Sequence, residues 1–290
     1  MALFRDDTDY TRRQTGFARY KQLISFYGFN WLRLNLLTAA GALPLAAGIW
    51  LAIMTSSLLV LMPLSLLGGM LLGPFLAGLV DSIMQGLRDA PNNWWANYKK
   101  SWRQNWRGSL LPGGLLGLFA DLLAFMLYVM SVSSAATPVS TWLMLLVSAA
   151  AALWFNTLYW PQLVLFSQTA VNRLRNTLLF TIKHSLRVLS AVLIQLVWLA
   201  LMVLLAPWTL TVLPFLGLWF PIFLAQHRIY DDLNADLRIE EQFIPIEGDP
   251  WRKDSFESSG ETEEEVGLPD DGIRRWEALV RDIDKNREGQ

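Results

Sequence analysis

The sequence predicts an all-α, polytopic membrane protein of six transmembrane helices, with amphipathic interfacial helices on its cytoplasmic side. Three observations carry that expectation. No Asp, Glu, Lys or Arg occurs from Leu34 to Val80, an uncharged run longer than the roughly 20 residues that one bilayer crossing needs. Hydrophobic residues make up 53% of the chain and charged residues 17%, whereas a soluble protein carries about a quarter charged. The charges are also segregated. With the N-terminus inside, all 24 Lys and Arg residues fall inside or at inner helix ends, and the three outer loops hold none. Such one-sidedness sets orientation, so both termini are expected in the cytoplasm. The net charge of -1 says little, because the two signs occupy different places.

Residues 1–30 form the first segment. They lack an apolar stretch followed by a small-residue cleavage site, so no cleaved signal peptide is expected. Phe17, Tyr20, Ile24, Tyr27 and Trp31 recur at steps of three and four, one face of a helix. That face suits either an interfacial helix or a helix packed on the protein itself.

The six-helix domain covers residues 31–230. Its expected spans are about 31–54, 58–87, 109–132, 141–171, 188–205 and 209–225. Pro44 should kink the first, and Thr55-Ser56-Ser57 is a minimal turn into the second. Gly69, Gly73 and Ala77 in the second span, and Gly113 and Gly117 in the third, are small residues at four-residue spacing, a pattern that allows close helix approach.

Between the second and third spans lies a basic, Trp-rich segment. Trp95, Tyr98, Trp102 and Trp106 share a helix face, flanked by Lys99, Lys100, Arg103 and Arg107. Indole rings favour the headgroup layer and cations favour anionic lipid, so the segment should lie flat on the membrane surface. A nucleic-acid patch is the competing reading, disfavoured by the tether to two spans. A second amphipathic segment, Ala170 to Arg187, sets Val171, Leu174 and Leu178 against Arg173, Arg175, Lys183 and Arg187. Both segments are candidate surfaces for the lipid bilayer or a protein partner.

Residues 231–290 form an acidic cytoplasmic tail. Its linker is rich in Glu, Asp, Ser, Gly and Pro, a composition that resists folding. It ends in a short helix with Ile273, Trp276, Val280 and Ile283 on one stripe. That stripe could dock on a partner or stay solvated.

Asp121 is the sharpest candidate for chemistry. It sits about 18 Å into the third span, where a carboxylate costs on the order of 3 kcal/mol. Asn35, Asn156, Gln162, Gln195 and Tyr128 could each donate a hydrogen bond to it. It is either a proton, cation or substrate site or a structural link between helices. Asp81 could pair with Arg88 or Lys99. With no cysteine, two separated histidines and no nucleophile elbow, phosphate loop or dinucleotide fingerprint, no catalytic residue, cofactor or metal is expected.

The second and third spans, with their basic connection, have a weaker echo downstream. The same interval separates Pro74 from Pro161 and Arg88 from Arg175. Within that echo, SQTAVNRLRNTLLFTIKHSLRVLSAVL (Ser167 to Leu193), above all Leu174-Arg175-Asn176-Thr177-Leu178 and the His184 and Arg187 pair, resembles the YesL family of bacterial integral membrane proteins. The resemblance covers about Ile24 to Tyr230 and leaves out the acidic tail. The family has no assigned reaction, and its members are linked to carbohydrate-utilisation and sugar-uptake systems. It therefore implies an accessory role beside a sugar importer, by analogy. Two functions follow as expectations: a non-enzymatic accessory or regulatory membrane protein, and a transporter subunit with a midplane polar site around Asp121.

Overall fold

The computed structural model describes residues 15–90, 93–133, 136–206 and 208–240, and the described chain is helical throughout. The tail stripe of Ile273, Trp276, Val280 and Ile283 lies outside these residues. The helices are α1 (Phe17–Gly41), α2 (Leu43–Thr55), α3 (Leu58–Leu87), α4 (Trp94–Val132), α5 (Val139–Leu165), α6 (Ala170–Lys183) and α7 (Ser185–Leu204). A single turn, α8 (Thr209–Val212), then leads through a π-turn at Leu213–Gly217 into α9 (Trp219–Leu237).

Among the described residues four helices, α3, α4, α5 and α7, are long and apolar enough to cross a bilayer, or five crossings if α1 and α2 count together as one. The two members of that pair meet at an angle of 42°. Pro44 sits in the first turn of α2, and its missing N–H leaves the backbone ladder open there. The sixth expected span, 209–225, is not one continuous helix. Pro214 and Gly217 fall within the π-turn, and α9 carries Arg228, Asp231, Asp232 and Asp236, so no long apolar run builds up. The expected fourth span also ends earlier, at Leu165 rather than 171.

Helix α3 is central and packs on α1, α2, α4, α5 and α9. The main core joins Leu23, Trp31 and Leu34 of α1 to Leu79 and Ile83 of α3, Leu158 and Trp160 of α5, and Phe223 and Ile229 of α9. These residues lie at the end of the bundle that also carries the described ion pairs, among them Arg19–Asp89 and Arg187–Asp232. At the other end apolar side chains face outward. Trp142, Leu143, Met144, Leu146 and Val147 of α5 are all exposed, so this helix is apolar on nearly every side, as a lipid-facing helix is.

The basic Trp-rich segment differs from the expected surface helix. It is the first third of α4, continuous with the third span. At 1.5 Å per residue the 39-residue helix is about 58 Å long, well beyond a hydrocarbon core of about 30 Å. The segment therefore extends the span and packs along α3 instead of separating from it. No proline stands between Asn93 and Ser109, and Gly108 and Pro112 are both accommodated within the helix.

Candidate functional site

The α3–α4 pair is zipped in one antiparallel register, and small residues set its spacing. A Cβ on Gly113 would lie 2.5 Å from the Gly69 carbonyl oxygen and 2.7 Å from Gly73 Cα, and one on Gly117 would lie 2.6 Å from Gly69 Cα. A Cβ on Gly73 would strike the Ser109 carbonyl. The two glycine stripes thus face each other backbone to backbone, as their spacing implies.

Polar pairs continue the seam at both ends. Toward the apolar end, Ser65 Oγ donates to Asp121 Oδ2 at 2.7 Å, and both residues are buried. Toward the charged end, Gln85 Nε2 donates to Asp81 Oδ2 at 2.8 Å and Asn97 Nδ2 donates to Gln85 Oε1 at 2.7 Å. Ser101 also hydrogen-bonds to Asp81. Asp121 therefore meets Ser65, not the Asn or Gln side chains expected from sequence.

Those amides have other partners. Asn35 reaches the break before α9. Its Nδ2 donates to the carbonyls of Leu213 (3.1 Å) and Pro214 (2.5 Å), and its Oδ1 accepts from the N–H groups of Leu218 (3.1 Å) and Trp219 (2.9 Å). Four backbone groups exposed by the π-turn are satisfied by one buried side chain. Trp160 Nε1 donates to Asn156 Oδ1 on the same helix. Gln195 Nε2 donates to Thr157 Oγ1 at 2.5 Å, Gln226 Nε2 to the Thr157 carbonyl at 2.7 Å, and Gln162 Nε2 to Thr177 Oγ1 at 3.0 Å. Thr157 is the junction of α5, α7 and α9. Gln162 also lines a cavity of about 130 Å³ with Asn176, Phe180, Lys183, Leu233 and Asp236.

The cations of the two basic segments separate into two groups. Lys183 pairs with Asp236, and Arg187 pairs with Asp232. His184 sits between these acids, with Nε2 3.0 Å from Asp236 Oδ2 and Nδ1 3.7 Å from Asp232 Oδ1. Burial alone would raise the Asp236 carboxyl, but hydrogen bonds from Lys183 and His184, with their charge, hold it below the usual carboxylate range. Arg173 donates to the Gln168 carbonyl at 2.6 Å and to Tyr159 Oη at 3.3 Å. These side chains are tied to the protein itself. In contrast, Lys99, Lys100, Arg103 and Arg107 are exposed on the outward face of α4 and have no ion-pair partner among the described residues. Arg175 is exposed in the same way on α6.

The aromatic side chains divide too. Tyr98 is buried against Gly78, and Trp102 packs edge-on to Phe75 at 6.1 Å. Trp95 and Trp106 are exposed. In α1, Tyr20 stacks on His227 at 3.9 Å and Tyr27 donates to the Ala90 carbonyl at 3.0 Å, so much of that aromatic face packs on the protein.

Sequence reasoning missed Ser65, Thr157, Gln226, Asp232 and Asp236. A signal existed for the last two: acids four residues apart on one helix face, opposite the basic pair Lys183 and Arg187. No family model, curated protein or solved structure matches this chain.

Proposed function

We propose that this chain is a non-enzymatic bacterial integral membrane protein with an accessory or regulatory role. In this reading it crosses the membrane six times, through α1–α2, α3, α4, α5, α7 and the broken stretch from α8 into α9, with both termini cytoplasmic. It uses its inner basic face to engage a partner.

One observation carries the reading. The extension of α4 presents Lys99, Lys100, Arg103 and Arg107, with Trp95 and Trp106, on one exposed face, and none of these cations has an ion pair among the described residues. Exposed aromatic and Arg side chains are the groups that anchor interfaces, and unpaired cations steer an acidic partner. The polar groups inside the bundle are, by contrast, largely engaged with one another. Asp121 is closed off by Ser65 and a glycine seam with no room for a side chain, which supports a structural part for it over a transport site. The YesL resemblance makes a sugar importer the first partner to look for.

The test is affinity purification from native membranes with mass spectrometry, run on the wild type and on a Lys99→Glu, Lys100→Glu, Arg103→Glu variant. The reading expects a transport permease or ATPase that co-purifies and is lost in the variant. Solute movement by the reconstituted chain alone, abolished by Asp121→Asn, would favour the transporter instead.

A further inference from the structure

Helix α6 is built inside out for a helix in water. Four of its polar or charged side chains turn toward the protein at its C-terminal half and cap. Thr177 is fully buried and accepts from Gln162, Thr181 accepts from Trp154 Nε1 at 2.8 Å, and Lys183 and His184 reach the acids of α9. Phe180 is the buried apolar residue on that side.

The opposite face is apolar and uncovered. Val171, Leu174, Leu178 and Ile182, at steps of three, four and four, are 75%, 44%, 48% and 78% exposed. Four large side chains in one stripe form a patch that a soluble monomer rarely shows.

The stripe does not end with the helix. It passes across the single-residue break at His184 into Leu186, Leu189, Leu193 and Val197 of α7, all exposed, at the same three- and four-residue steps. Helix α7 is apolar and long enough to span, and its outward face is therefore a lipid face. The cover of α6 is continuous with it. Arg175 lies on the same outward face, one turn from Val171 and from Leu178, exposed and without a described partner. An apolar face with a cation at its flank is what an in-plane helix presents to an anionic leaflet.

We propose that α6 lies in the inner leaflet as an in-plane lipid-binding helix, its Val171–Leu174–Leu178–Ile182 face covered by acyl chains and Arg175 drawn to anionic phospholipid headgroups. The Lys183–Asp236 pair clamps its C-terminal end to α9, and Arg187–Asp232 ties the first turn of α7 beside it, so the helix is held with a fixed face toward lipid. The inference rests on α7 being a span, and the experiment separates the two.

The chain has no cysteine, so single cysteines can carry a fluorophore without a background. Full-length Leu178→Cys, Ile182→Cys, Leu193→Cys and Lys100→Cys proteins are labelled with an environment-sensitive dye. They are then reconstituted into phosphatidylcholine vesicles with and without phosphatidylglycerol. Quenching is compared between aqueous iodide and shallow or deep doxyl-labelled lipids. The expected result is shallow-lipid quenching at Leu178 and Ile182, deep-lipid quenching at Leu193 and iodide quenching at Lys100. Iodide quenching at Leu178 and Ile182 equal to that at Lys100, with Leu193 still in lipid, overturns the proposal and leaves the span intact. Shielding of Leu178 and Ile182 from both quenchers assigns the face to protein and also overturns it. Leu193 open to iodide would remove the span reading itself. Arg175→Gln is expected to raise iodide quenching at Ile182 only in vesicles containing phosphatidylglycerol, by about fivefold for roughly one cation's worth of surface attraction. An equal effect in both vesicles overturns the headgroup contact.

Discussion

The Ser65 hydroxyl donates a 2.7 Å hydrogen bond to Asp121 and joins α3 to α4 where both residues are buried. The acid is thus held as part of a helix seam. Asp121→Asn preserves shape and hydrogen-bonding capacity, so it should shift thermal unfolding in detergent by less than about 1 kcal/mol. Ser65→Ala strands the acid and should cost about 1–3 kcal/mol. Equal tolerance of both substitutions would show that the bond is not used.

The glycine seam makes a steeper prediction. Gly113→Leu forces side-chain atoms into the Gly69 and Gly73 backbone, which cannot yield locally. It should cost about 3 kcal/mol or more, at the upper end of overpacking penalties. Gly108→Ala meets only the flexible tip of Leu163 at 3.2 Å and should change little. Size-exclusion profiles after heating distinguish the two.

Asn35 predicts a local effect. Asn35→Leu leaves two carbonyls and two N–H groups of residues 213–219 without their partner, a loss of about 2–4 kcal/mol. Hydrogen exchange should rise selectively in the π-turn and the first turn of α9. A uniform rise across the bundle would contradict the assignment.

The Asp236 clamp on α6 has a defined pH response. Its carboxyl titrates below the ordinary aspartate range, which is about 3.9 unfolded. The stabilisation it contributes is therefore fully present above that value and is lost as pH falls through the lower folded value. Lys183, His184, Arg187 and Asp232 are the charged or titratable groups beside it. Exchange protection at the end of α6 should accordingly stay flat from pH 7 to about 5 and fall only in stronger acid. Asp236→Asn should remove that acid-dependent step. Loosening between pH 7 and 5 in the wild type would refute the clamp.

Much of the architecture was legible because it rests on local pattern. The empty charge map from Leu34 to Val80 marks long apolar helices, and the Gly69–Gly73 and Gly113–Gly117 spacing marks the helix pair that does come together. The partner of Asp121 was not legible, since helix register is set by packing and Ser65 is a common residue in such a stretch. The continuity of α4 was obscured by a composition change at Ser109 that carries no backbone break. The partners of Lys183 and Arg187 were not legible either, because their acids lie some fifty residues away on α9. The π-turn follows from Pro214 and Gly217, but its dependence on Asn35 is a long-range contact with no sequence signature.

The central claim is that these helices cross a bilayer with the basic end inside. Two single-cysteine variants test it directly in whole bacterial cells with a membrane-impermeant thiol reagent. Ala136→Cys, exposed between α4 and α5, and Lys100→Cys, exposed on the α4 extension, are used. Labelling of Ala136→Cys in intact cells, with Lys100→Cys reacting only after permeabilisation, is the predicted result. Labelling of both positions from the same side would contradict it.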